Sequence, residues 1–255
     1  MISTTFSDYI KKRTQQVHSK AVLLLSPCWE ELPSQVKCAY KSIGAALFAF
    51  HKAALDGIKD KAAAVLLDIT AFEAYGLSGM VCLKSTIDYA KELGLIVLAD
   101  TSKNGALCNI RTAAKAWIAP VDASLPEDSP LREGGFDCDA LSFTVPLEED
   151  AVRAIATEAE RYGAGILLSQ DGKQAARAID AAKAIGKETC GLLLRGECKA
   201  ILGALPQESS FISLACPTGF QDVQELKAVS SQCTLIAAPR EVKTPQAFLK
   251  FTEII

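Results

Sequence analysis

Short apolar runs alternate with stretches of helical spacing eight times along the 255 residues. The runs are apolar throughout rather than at every second position, as in strands buried on both faces. No Gly-x-Gly-x-x-Gly turn follows the first run, and no break in composition separates two halves. These observations predict an α/β chain closed as a (β/α)8 TIM barrel with a short N-terminal helix, one domain over residues 1–255. In such a barrel the residues at and just past the C-terminal strand ends surround the mouth, so function is sought there.

The leading helix covers residues 4–18, with Phe6 and Ile10 at helical spacing among charges. The first strand, 21–26, is stopped by Pro27, which lacks an N–H for the ladder. An Ala-rich helical pattern follows over 34–55. The second run, 62–68, precedes a long helical stretch over 72–93 that Gly76 and Gly79 interrupt. The third strand, 95–100, ends its apolar run in Asp100, and Lys103 follows on a turn containing Gly105. Its helix is 107–117. Residues 119–137, with three prolines and a Gly-Gly pair, read as a surface loop. The pattern then resumes: strand 139–145 with helix 148–162, 164–169 with 173–185, and 189–194 with 198–205. The last pairs are 211–215 with 221–230 and 234–238 with 244–254.

Composition excludes several partner classes. Hydrophobic residues make up 49% of the chain, enough for one large core. A net charge of −3, without a basic run or a basic aromatic patch, argues against nucleic acid and anionic membrane surfaces. No apolar stretch reaches the roughly 18–20 residues that span a bilayer. The polar segment 1–20 does not read as a signal peptide, so a cytoplasmic location is expected. The nine cysteines are odd in number and form no Cys-x-x-Cys pair, so they read as small buried hydrophobes in a reducing compartment. His18 and His51 are the two histidines, neither near a Cys, so no metal site is expected. His51 is expected to be partly buried in its helix, and Trp29 and Trp117 to serve in packing.

The segment Ala71-Phe72-Glu73-Ala74-Tyr75-Gly76-Leu77-Ser78-Gly79 is followed by Thr86-Ile87-Asp88-Tyr89-Ala90-Lys91 and then by Gly94-Leu95-Ile96-Val97-Leu98-Ala99-Asp100. Together they resemble orotidine 5′-phosphate decarboxylases of the bacterial type 2 branch. Leu24-Leu25-Ser26-Pro27, Asp139-Ala140-Leu141-Ser142, Gly219-Phe220-Gln221 and Pro239-Arg240-Glu241-Val242 extend the resemblance in consistent order. It implies a (β/α)8 barrel, a homodimer, and conversion of orotidine 5′-phosphate (OMP) to UMP and CO2 in pyrimidine biosynthesis, with no cofactor. It also implies an alternating Lys/Asp array at the strand ends. Its fixed charges disfavour the substrate carboxylate and favour the carbanion, and a Lys delivers the proton.

The array is altered in this chain. By the resemblance Asp100 is the first residue of an Asp-x-Lys-x-x-Asp motif, but Lys103 is displaced by one position. On a strand such a shift turns a side chain to the other face. No carboxylate follows at the spacing of the Asp that crosses the family's dimer interface. Leu66 stands where the family has a strand-ending Lys, and Ser26 where it has an Asp, which leaves Asp68 as a candidate substitute carboxylate. Arg240, Gly219 and Gln221 match phosphate-binding positions, although Asp222-Val223 replaces a Gly-Gly pair; a surface pairing of Arg240 with Glu241 or Asp222 is the structural alternative. Ser169 is the candidate contact to the pyrimidine ring.

Three readings stay open. The first is a degenerate, weakly active or inactive barrel keeping partial binding of a phosphorylated nucleotide such as OMP or UMP. The second is a working cofactor-free decarboxylase built on Asp100, Lys103 and Asp68. The third is a non-catalytic interaction or scaffold protein.

Overall fold

Each apolar run becomes one parallel strand, and the strands pair in chain order, with the eighth returning to the first to close a barrel. The computed structural model describes residues 5–101, 110–119, 135–144, 149–170, 179–180, 182–183, 186, 189–195, 212–216 and 223–255. Lys103, Gly219 and Gln221 lie outside those residues, as do the predicted helix over 198–205, most of that over 173–185, and loop residues 120–134. The strands are β1 (Ala21–Leu25), β2 (Ala64–Asp68), β3 (Ile96–Asp100), β4 (Ala140–Thr144), β5 (Gly165–Gln170), β6 (Cys190–Arg195), β7 (Ile212–Cys216) and β8 (Leu235–Ala237). The described helices are α1 (Phe6–Val17), α2 (Ser34–Ala39), α3 (Ile43–Ile58), α4 (Ile69–Glu73), α5 (Gly76–Glu92), α6 (Ile110–Trp117), α7 (Glu149–Tyr162), α8 (Val223–Gln232) and α9 (Pro245–Ile254).

Two predicted helices are each split in two. The stretch 34–55 breaks because the Ser42 hydroxyl accepts the Ala45 N–H and starts α3 afresh. The stretch expected over 72–93 begins earlier, with Asp68 capping α4, and turns at Gly76, whose φ of +55° suits glycine. Gly79 then packs onto the Phe72 carbonyl, where a Cβ would lie 1.9 Å from the oxygen. The glycines that interrupt the pattern therefore join α4 to α5.

Strand side chains alternate between the lumen and the helix layer. Leu23, Val65, Val97, Phe143 and Leu168 face outward into the larger core under the helices. Val22, Ala64, Leu66, Leu98, Leu193 and Leu214 belong to the lumen cluster. Leu24 pairs with Leu66 and Leu66 with Leu98, so one lumen layer is built of leucine side by side.

The leading helix is a plug. Phe6, Ile10 and Val17 of α1 join the lumen cluster. Phe6 lies against Gly165, where a Cβ would stand 2.1 Å from the ring. Arg13 fastens the plug, its Nη2 donating to the carbonyls of Lys59 at 2.6 Å and Ala62 at 3.1 Å.

In the helix layer, His51 is more buried than the sequence predicts, at 3% exposure. Its Nδ1 lies 3.4 Å from the Thr86 hydroxyl, and its ring meets Phe72 edge-on. Burial pushes its pKa down to about 4, so the imidazole is neutral at pH 7. Trp117 stacks on Phe136 at 4.5 Å, a packing role as predicted. Cys82, Cys138, Cys190 and Cys233 are buried, whereas Cys38 is exposed and Cys28 and Cys216 are half-buried. Among the described residues no helix is long and apolar enough to cross a membrane.

Candidate active site

The lumen changes character at its C-terminal end. Above the leucine layer, the inward positions carry Asp68 on β2, Asp100 on β3, Ser142 on β4, Ser169 on β5 and Arg195 on β6. Asp68 and Asp100 stand in register on neighbouring strands. Two carboxylates side by side repel each other unless each is separately compensated. They are compensated in different ways.

Asp68 turns toward its own helix. One oxygen accepts the Ala71 N–H at 3.4 Å as the N-cap of α4, and the other accepts the Ser26 hydroxyl at 3.2 Å. Asp100 faces across the lumen. Its Oδ1 accepts the Ser142 hydroxyl at 3.0 Å, and its Oδ2 forms an ion pair with Arg195 Nη2. Ser142 also receives the Thr101 N–H at 3.0 Å, and the Thr101 hydroxyl donates to the Ser142 carbonyl at 2.6 Å. The end of β3 is thereby stitched to β4, which fixes the carboxylate.

Arg195 completes the group, with Nε donating to the Ser169 hydroxyl at 3.2 Å. Burial opposes its charge, but the attraction of Asp100 and their hydrogen bond outweigh that, and the guanidinium pKa is raised. The Asp100 carboxylate is the buried end of this pair, and a buried charge persists only when its remaining polar atoms are also bonded. Here both serines supply those bonds.

Arg240 sits apart from this ring, exposed in the turn after β8. It lines a cavity of about 190 Å³ between β1, the turn after β8 and α3, together with Ser26, Phe50, His51 and Val242. Lys243, on the same wall, is paired with Glu31. Among the described residues Arg240 has no ion-pair partner, so the alternative pairing with Glu241 is not made. Asp222 lies outside the described residues.

Of the residues singled out from sequence, the fold brings Asp68, Asp100 and Ser169 to one ring and sets Arg240 on the rim. Sequence reading missed Arg195 and Ser142. A signal for Arg195 was present: the apolar run 190–194 ends in a charged residue followed by Gly196, the same signature that marked Asp100. The predicted strand stopped at Leu194, one residue short of it. Leu66 is 1% exposed and points into the lumen one layer below Asp68, so its position carries no ammonium.

Fold and ring together define a class: a (β/α)8 barrel with charged and hydroxyl side chains gathered at the C-terminal strand ends, where barrel enzymes hold their active sites. In sequence the chain is 23% identical over 137 residues to the orotidine 5′-phosphate decarboxylase of Clostridium perfringens, covering 54% of this chain and 43% of that protein. It is 23% identical over 196 residues to that of Clostridium botulinum, covering 70% and 64%. The structure matches the OMP decarboxylase of Leishmania donovani with a TM-score of 0.68 at 16% identity, over 98% of this chain and 96% of that one. No family model matches the chain. The chain is thus similar in sequence to orotidine 5′-phosphate decarboxylases and shares the barrel fold of the solved one. The matches span 43% and 64% of the length of these two curated relatives.

Proposed function

We propose that the chain is an OMP decarboxylase-like barrel that binds a phosphorylated nucleotide in its mouth and decarboxylates it weakly or not at all. The observation that carries this reading is the Arg195 guanidinium lying on Asp100, with Leu66 in the position where the resemblance implies a lysine. The family chemistry needs a fixed carboxylate set against the substrate carboxylate and an ammonium that delivers a proton. Here the Asp100 carboxylate is matched by a cation that does not give up its proton in proteins. Leu66 has none to give. Phosphate binding is supported by Arg240, an exposed guanidinium on the rim suited to bidentate contact.

One observation favours a second reading. Asp68 stands in register with Asp100, so two carboxylates are available for a relocated array with Lys103 as proton donor. A direct assay separates the readings: purified protein at high concentration with OMP, followed by loss of substrate absorbance. The expected result is no turnover above background, with UMP raising the melting temperature by roughly 5–10 °C at a hundredfold excess over Kd. Arg240→Ala should remove that shift. Turnover abolished by Lys103→Ala would establish the relocated array instead. Neither turnover nor a shift would leave an interaction protein that kept the fold. A homodimer and a cytoplasmic location belong to the same reading, and sedimentation velocity checks the first.

A further inference from the structure

The two arginines of the mouth stand on one arc of the barrel. Arg195 pairs in register with Cys216 at the end of β7, and β7 pairs with β8, after which comes Arg240. The strands that carry them are two apart, roughly 10 Å across the sheet, with Arg240 three residues beyond the end of β8, a separation on the scale of one small nucleotide.

What faces the ligand is the cation. The Asp100 side chain is 2% exposed and that of Arg195 33%, so the carboxylate lies beneath and the guanidinium looks outward. Its orientation is set from two sides, by Asp100 on Nη2 and by Ser169 on Nε. A fixed fork loses little entropy on receiving a planar anion. The Asp68 carboxylate on β2 also attracts this guanidinium, while its two oxygens accept the Ala71 N–H and the Ser26 hydroxyl.

We propose that Arg195 is the specificity-determining residue of the mouth and grips a carboxylate on the ring of a phosphorylated ligand whose phosphate lies at Arg240. OMP then binds more tightly than UMP. The charge-assisted hydrogen bonds stabilise the carboxylated ground state, which raises the barrier to losing CO2 rather than lowering it. The proposal rests on the nucleotide-binding reading above and extends it to the chemical group recognised.

Titration calorimetry with OMP and with UMP tests this, with absorbance checking that the OMP is intact at the end. The wild-type chain should bind OMP about tenfold to a hundredfold more tightly than UMP, the worth of hydrogen bonds to a charged group. Arg195→Gln should abolish the preference, with OMP losing at least about tenfold more affinity than UMP. Since that variant leaves Asp100 without its cation, the double variant Asp100→Asn, Arg195→Gln keeps the net charge of the ring unchanged and should lose the preference equally. Equal affinity of the wild type for both nucleotides would overturn the role of Arg195 and leave the nucleotide-binding reading intact. A preference surviving in both variants would overturn it as well, assigning the preference to another group. Binding of neither nucleotide would overturn both, and rapid consumption of OMP would overturn the ground-state role of Arg195 while leaving nucleotide binding in place.

Discussion

Breaking the Asp100–Arg195 pair from either side should have unequal consequences, because the two partners are unequally buried. Arg195→Gln leaves a carboxylate that is 2% exposed with the Ser142 hydroxyl still bonded to it. Stranding a buried charge in this way costs about 3–4 kcal/mol. Asp100→Asn strands a guanidinium whose side chain is 33% exposed, so water takes over much of its solvation and the cost falls to about 1–2 kcal/mol. The double variant buries two neutral amides that can bond each other and should cost about 1–2 kcal/mol. The cycle then gives a coupling of about 3–4 kcal/mol, close to the roughly 4 kcal/mol of a bare pair at contact in a moderately polar medium. Urea unfolding of the four proteins at pH 7 measures it, with unchanged m-values as the check that the denatured state is not the source. An Arg195→Gln cost below about 1 kcal/mol, or a double variant as unstable as the sum of the singles, would refute the view that this pair is buried and coupled.

Three further outcomes are expected. His51 has a folded pKa of about 4 against an ordinary 6.5. The unfolded chain therefore takes up the proton first, and this contribution is complete above the unfolded value and lost as pH falls through the window down to 4. The loss is on the order of 3 kcal/mol, and urea midpoints from pH 7 to pH 4 should fall more steeply for the wild type than for His51→Gln; parallel curves would count against a buried neutral imidazole. Gly165→Ala drives a methyl into Phe6 and should cost about 1–3 kcal/mol, whereas in a Phe6→Ala background the same change should cost less. Equal costs would mean that α1 does not plug the barrel at this point. Among the described cysteines, exposed Cys38 should react first with a maleimide. Cys82 and Cys190, whose thiols burial pushes up to about 11 and about 12, should react only on unfolding, which mass mapping of the labelled peptides would show.

Much of this molecule was legible along the chain. Parallel strands covered on both faces need unbroken apolar runs, so the eight strands and their order could be read from local composition, and Asp100 stood out as a charge ending such a run. The leading helix was also expected from the helical spacing of Phe6 and Ile10, although not the place of these side chains inside the lumen. What tertiary structure decided is which distant groups meet. Arg195 and Asp100 are 95 residues apart, and closure of the sheet brings the ends of β3 and β6 together across the lumen. Asp68 and Asp100 are alike in sequence, each an acid ending an apolar run. Yet one is drawn off to cap α4 and the other is matched by a guanidinium. Spacing carries no record of such choices, because they depend on register and closure, and these are properties of the whole barrel rather than of any one strand.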